Sequence, residues 1–208
     1  MRLCTTGWCR PPGVHHSDRM SAASVVPVLS DGAVRLRPVE ERDDDRVLEA
    51  CLDPETAFWL GQLPQPYRLA DAQEWRGQQS EAAVQGTRVP WVVADPETDE
   101  CVGAVDLFAI REGWDAEIGY WAHPSVRGRG LTAAACRLVL THAFRPAEQG
   151  GLGLVRLQGV VAEGNEASAR VLRSIGMQQA GTYRAFVLTR AGRVDGWLFD
   201  VLRDDVRI

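Results

Sequence analysis

The chain has 208 residues, a length that suits one domain with a full hydrophobic core. Its apolar (45%) and charged (25%) fractions are those of a globular protein in water, and no run approaches eighteen apolar residues, so no membrane-spanning helix is expected. Acidic side chains outnumber basic ones by 28 to 23, a net charge of −5 that argues against a nucleic-acid partner and toward basic or amine-bearing ones.

Residues 1–30 have no periodicity and contain Pro11-Pro12, His15-His16 and a Ser/Ala/Val run. They lack the continuous apolar core of a secretory signal and read as a disordered or loosely packed extension, with the folded domain over residues 31–208. Met20 is an alternative start that would set residues 1–19 apart. His15-His16 has no partner ligands nearby in sequence, so no metal is expected. The five cysteines are odd in number and show no C-x-x-C spacing, which fits reduced thiols in a cytoplasm.

The first predicted strand covers 34–38. An acidic opening at 40–45 then suits the positive end of a helix running to about residue 52. Asp53-Pro54 begins a loop-rich stretch that holds Phe58, Trp59, Leu60 and Tyr67. A polar helix follows over 71–85, with Asp71 as its cap. Residues 90–94 and 101–110 read as strands around a turn-rich connection, and 114–122 as a third strand of the same antiparallel meander.

That third strand alternates, with Ala116, Ile118, Tyr120 and Ala122 on one side and Asp115, Glu117, Gly119 and Trp121 on the other. His123-Pro124 ends it, because proline has no N–H for a ladder. From Leu131 the apolar period becomes helical, with Ala134, Ala135, Leu138 and His142 on one stripe. Between strand and helix lies Arg127-Gly128-Arg129-Gly130-Leu131-Thr132. Its glycines permit positive φ and close approach, the helix start offers unpaired N–H groups, and the arginines can bind oxyanions. Such a turn suits a phosphate or diphosphate. Neither G-x-G-x-x-G nor G-x-x-x-x-G-K-[ST] is present, so it is not a nucleotide fingerprint.

Residues 154–161 read as a further strand. The following helix is capped by Asn165 and closed by Gly176, and it places Ser168, Val171, Leu172 and Ile175 on one face. Ser168 is therefore a hydroxyl on the buried side, which requires a partner. Residues 178–188 and 193–202 read as two final strands around Ala191-Gly192.

The stretch from Arg127 to Thr132 resembles motif A of the GCN5-related N-acetyltransferase (GNAT) superfamily, [R/Q]-x-x-G-x-[G/A], with Thr132 standing where Gly or Ala is usual. The preceding E-I-G-Y-W-x-H-P, and Asn165, Ser168, Val171, Gly176 and Met177 after it, resemble the ribosomal-protein alanine N-acetyltransferase (RimJ/RimL-like) branch. The likeness spans about residues 34–202. It implies an α/β (α+β) fold: a mixed, mostly antiparallel central sheet of six to seven strands flanked by about four helices. It also implies acetyl-CoA as acyl donor, without a metal, and a primary amine as acceptor, either a protein N-terminus or a small molecule. In that family the segment after Asp53 helps wall the acceptor site, and homodimers occur.

By the same resemblance, the diphosphate is expected on the Gly128–Thr132 amides with Arg127 and Arg129, and the pantetheine beside Trp121, Ala122 and His123, near Asn165. Glu117, acting through water, is the expected base, and Ser168 the expected donor to the departing thiolate, with Tyr183 as the alternative acid. The branch pattern carries a further carboxylate where this chain has Val187. Two other readings stay open: a succinyl-CoA-using enzyme, with Arg156, Arg173 or Arg184 meeting the extra carboxylate, and a non-catalytic acyl-CoA-binding regulatory module.

Overall fold

The computed structural model describes residues 26–206, and the expectations placed on Met20, on His15-His16 and on the rest of the first 25 residues lie outside that range. A single eight-stranded sheet runs through the described residues. Its strands are β1 (Leu29–Ser30), β2 (Arg35–Arg37), β3 (Arg88–Ala94), β4 (Cys101–Arg111), β5 (Asp115–Ala122), β6 (Arg156–Ala162), β7 (Gln178–Thr189) and β8 (Gly192–Leu202). They lie in the order β1-β2-β3-β4-β5-β6-β8-β7, antiparallel at every junction except β5–β6. The mixed, mostly antiparallel sheet is as expected, with one strand more than the six to seven predicted. The packed body also reaches back past residue 31: Val26 is buried, Trp91 Nε1 donates to the Pro27 carbonyl at 2.7 Å, and β1 pairs with β2.

Among the described residues five α-helices accompany the sheet: α1 (Asp44–Leu52), α2 (Pro54–Trp59), α3 (Leu69–Val84), α4 (Leu131–Phe144) and α5 (Glu166–Ser174). Helix α2 lies in the stretch read as loop. Asp53 caps it by accepting from the Thr56 amide at 2.9 Å, and Pro54 occupies its first turn, where a missing N–H costs nothing. Helix α3 begins two residues earlier than predicted. Asp71 is therefore not its cap but sits in the first turn, where its carboxylate accepts from the Arg68 amide at 2.7 Å.

The alternation within the strands assigns the two faces. Trp91, Leu107, Ile118, Leu157 and Phe199 point to one side and pack against Ala135, Val139 and Phe144 of α4 and Leu172 of α5. Enclosing each large apolar side chain there contributes about 1.5–3 kcal/mol relative to leaving it in water. On the other face Val47, Cys51, Tyr67 and Ala72 gather with Trp75 and Trp121, so α1 and α3 cover the sheet opposite α4 and α5. An ion pair ties the amino-terminal edge. Arg37 reaches Asp43 at 2.8 Å with both side chains 2% exposed, and Arg37 also binds Asp99 in the β3–β4 connection.

The feature that positions the site is the β5–β6 junction. Only Asp115, Ala116 and Glu117 pair with β6, opposite Arg156, Leu157 and Gln158. Beyond Glu117, β5 stays with β4 while β6 follows β8, and one edge of residues 118–122 has no strand partner among the described residues. Ile118 leans over Gly159 where the strands part; a Cβ at Gly159 would lie 3.3 Å from its Cγ2.

Candidate active site

Glu117 is the last residue of β5 to pair with β6, and it borders two cavities. The larger, about 480 Å³, runs from Tyr67, Trp75 and Gln79 under α1 and α3, past Asp106 and Glu117, to Ser168. The smaller, about 350 Å³, is bounded by Gln62, Val160, Phe186, Val187, Leu188 and Arg193 and shares Glu117 with the first. Burial raises the proton affinity of Glu117; Gln158 opposes this through a hydrogen bond, and the Asp106 charge adds to it. A carboxylate that binds its proton closer to neutral pH is suited to accepting one from an ammonium.

Beyond Glu117 the open edge of β5 presents backbone. The His123 amide donates to Val102 of β4 at 2.9 Å, and backbone direction alternates along a strand. The amides of Tyr120 and Ala122 therefore face away from β4, toward the gap. Trp121 turns its ring to the opposite layer, edge-on to Trp75 at 6.4 Å. His123 is buried: Nδ1 accepts from the Ser125 amide at 3.2 Å and lies within 3.2 Å of the Arg46 guanidinium. Its Nε2 is 3.3 Å from Glu49 Oε2, in a geometry that makes no hydrogen bond. Burial and Arg46 lower its proton affinity, against the pull of Glu49, and its side chain packs the strand end.

The turn that follows opens on the surface and borders neither cavity. Gly128 and Gly130 adopt φ of +75° and +78°, and a Cβ at either would meet nothing within 4 Å, so conformation rather than crowding requires glycine there. Among the described residues, the amides of Gly128, Gly130, Leu131, Thr132 and Ala133 have no acceptor. They gather at the positive end of α4, a ready anion site. Thr132 occupies the second position of the helix, so the residue that differs from the motif adds no positive-φ strain. Arg129 is exposed and forms no ion pair among the described residues.

Arg127 has partners within the chain. Its guanidinium is held by Asp53, by Glu55 at 3.0 Å and by Thr56 Oγ1 at 2.8 Å, so it fastens the turn to the start of α2 instead of standing free for phosphate. The acidic cap of α2 outcompetes solvent for it, and that helix was not legible as one.

Asn165 Oδ1 accepts from the Ser168 amide at 3.1 Å, the predicted cap. The partner of the Ser168 hydroxyl is Tyr120, whose OH lies 2.9 Å from Ser168 Oγ and donates to the Ser168 carbonyl at 2.9 Å. Burial is the main reason Tyr120 holds its proton more tightly than a free phenol.

Tyr120 and Asp106 were not singled out from sequence. Tyr120 was read only as one of an alternating apolar set. Asp106 is the one charged residue within 101–110, and that isolation was its only signal. It faces Gly119 across β4–β5, where a Cβ would come within 2.7 Å of Oδ1, and it is paired with Arg88. Burial, against the opposing Arg88 charge, pushes its carboxyl up to about 6.

A mostly antiparallel sheet that opens beside a parallel junction, leading into a helix whose first amides are unpaired, offers an extended ligand a strand edge with an anion site at one end. The family model for the Acetyltransferase (GNAT) domain matches residues 33–178, and the chain belongs to that family of N-acetyltransferases. It is 24% identical over 169 residues to the Uncharacterized N-acetyltransferase p20 of Bacillus licheniformis, covering 81% of this chain and 92% of that one. It is 28% identical over 158 residues to YdaF of Bacillus subtilis (strain 168), named as a candidate ribosomal N-acetyltransferase, covering 73% and 81%. Among solved structures, Mycobacterium smegmatis RimJ in complex with CoA-disulfide superposes with a TM-score of 0.74 at 21% identity, covering 88% of each chain.

Proposed function

We propose that the enzyme moves an acetyl group from acetyl-CoA to a primary amine, with a protein N-terminus favoured over a small molecule. The observation that carries this reading is the continuity of β5: a base candidate at Glu117, an unpaired edge over 118–122, then the anion-binding amides of α4. These residues fit an extended thioester ligand with a diphosphate at one end. Its pantetheine amides would add to the open edge as a strand, and Arg129 would meet the phosphates. A RimJ structure with bound CoA and a relative named for ribosomal N-acetylation support the same assignment.

When bound, acetyl-CoA supplies the thioester carbon that is attacked. Glu117 takes one proton from the acceptor ammonium, leaving a lone pair to form the C–N bond. The amides of Tyr120 and Ala122 face the edge where negative charge develops on the carbonyl oxygen. As the C–S bond breaks, the Ser168 hydroxyl turns its proton from the Tyr120 oxygen to hydrogen-bond the departing sulfur, and the second proton shed by the nitrogen neutralises the thiolate. Val187 borders the smaller cavity, so among the described residues Glu117 is the one carboxylate there. Of the arginines expected to meet a succinyl carboxylate, Arg156 pairs with Asp200 and Arg173 with Glu166, while Arg184 forms no ion pair among the described residues, so the assay compares both donors. The three free, buried thiols Cys51, Cys101 and Cys136 suit a reducing cytoplasm. No helix among the described residues is long and apolar enough to cross a membrane. The exposed outer strand β7, with Tyr183, Phe186 and Leu188, suits a homodimer contact.

Thiol release measured with acetyl-CoA and succinyl-CoA, against amines and short peptides with free N-termini, tests the reading. Amine-dependent release with acetyl-CoA is expected. Tight acyl-CoA binding with no release for any acceptor would overturn the catalytic roles given to Glu117 and Ser168.

A further inference from the structure

The larger cavity holds a second carboxylate that the reaction above leaves unused. Asp106 stands at the middle of β4, on the same sheet face as Glu117, because it pairs with Gly119 while Glu117 pairs with Phe108. Its carboxylate lies where a side chain at position 119 would be; that glycine makes the room. Two residues along a strand span about 7 Å, so Asp106 sits within that range of the Glu117 stem. Arg88 from β3 binds the far side of Asp106 and stacks over Phe108 at 4.9 Å, which keeps the guanidinium toward Asp106.

We propose that Asp106 is a positioning residue of the transfer reaction: seated over Gly119 and anchored by Arg88, its charge makes Glu117 a stronger proton acceptor. The inference rests on Glu117 being the base. A buried carboxylate next to another releases its proton at higher pH, because two like charges in a poorly solvated site repel. Both groups are displaced upward here, mainly by burial. The other groups facing Glu117 are Asp115, two residues back on the same strand face and paired with Arg111 and Arg156, Gln158 with the Arg156–Asp200 pair from β6 and β8, Arg193 across the smaller cavity, and Cys51 and Tyr67 from the α1–α3 layer. Burial keeps Cys51, at about 11, and Tyr67 uncharged near neutrality. Asp106 and Arg88 are therefore the adjustable charges on the cavity side.

The test is a carbon-13 titration of the glutamate side-chain carboxyls, with Glu117 assigned by its loss in Glu117→Gln, in the wild type, Asp106→Asn and Arg88→Met. The Glu117 midpoint should fall in Asp106→Asn, where repulsion is removed and Arg88 is released toward it. It should rise in Arg88→Met, where Asp106 is left unneutralised. The acidic limb of kcat/KM should move the same way in each. A midpoint that stays put, or moves in one direction in both variants, overturns the proposal. Arg88 is a third exposed, so Arg88→Met retains a readable midpoint if Asp106→Asn does not fold. A wild type that releases no thiol while its midpoint responds to both variants overturns the proposed function alone and leaves the carboxylate pair standing.

Discussion

In the proposed reaction Glu117 must take a proton from an ammonium near neutral pH, and burial in its cavity raises its proton affinity in that direction. Replacing it by glutamine preserves shape while removing the proton acceptor. Glu117→Gln is therefore expected to lower kcat by about 10²-fold or more with acyl-CoA affinity unchanged, read by steady-state kinetics beside calorimetry. Tyr120→Phe should lower kcat less, because it frees the Ser168 hydroxyl from its orienting partner without removing it. Equal kcat in Tyr120→Phe and wild type would remove the orienting role. Glu117 and Ser168 could be singled out from the sequence because each sat at a marked place, one on the strand leading to the turn and one on the buried face of a capped helix. Asp106 and Arg88 could not, since what makes them matter is a neighbour on another strand. The ion pairs of Arg127 were hidden for the same reason: its partners Asp53 and Glu55 lie more than seventy residues away in sequence.

Among the elements, the long strands and helices followed from period two and period 3.6, whereas the six-residue α2 was too short to show a helical repeat. Its announcement was the Asp-Pro pair, which serves helix starts as well as turns. The turn before α4 depends on backbone shape, and its two glycines can be tested as such. Gly128→Ala and Gly130→Ala each place an L-residue at positive φ, a strain of roughly 1–2 kcal/mol, with no clash to add to it. The expected outcome is a roughly tenfold weaker acyl-CoA affinity with little change in kcat at saturation. Unchanged affinity in both variants would show that the amide cradle does not hold the ligand.

For the molecule as a whole, stability draws on a buried ion pair and on a buried imidazole. Removing Arg37 leaves Asp43 charged and enclosed, so Arg37→Ala is expected to cost about 3–5 kcal/mol and to lower Tm by roughly 10 °C. His142 lies edge-on to Trp91, and burial, with Arg145, lowers its proton affinity below the ordinary 6.5. Its contribution is thus complete above pH 6.5 and is lost as pH falls below that value, because the unfolded chain binds the proton more readily. His142→Phe should flatten that acid slope in denaturant titrations between pH 5 and about 7. The open β5–β6 junction bears on motion as well. Three rungs join the two halves of the sheet along that seam, so they resemble leaves on a short spine. A ligand wedged between them would staple both leaves, slowing deuterium uptake at 118–122 and at 160–162 together. Letting go of the spent carrier would then require the spine to flex, which would make departure, not bond exchange, the slow event of each cycle.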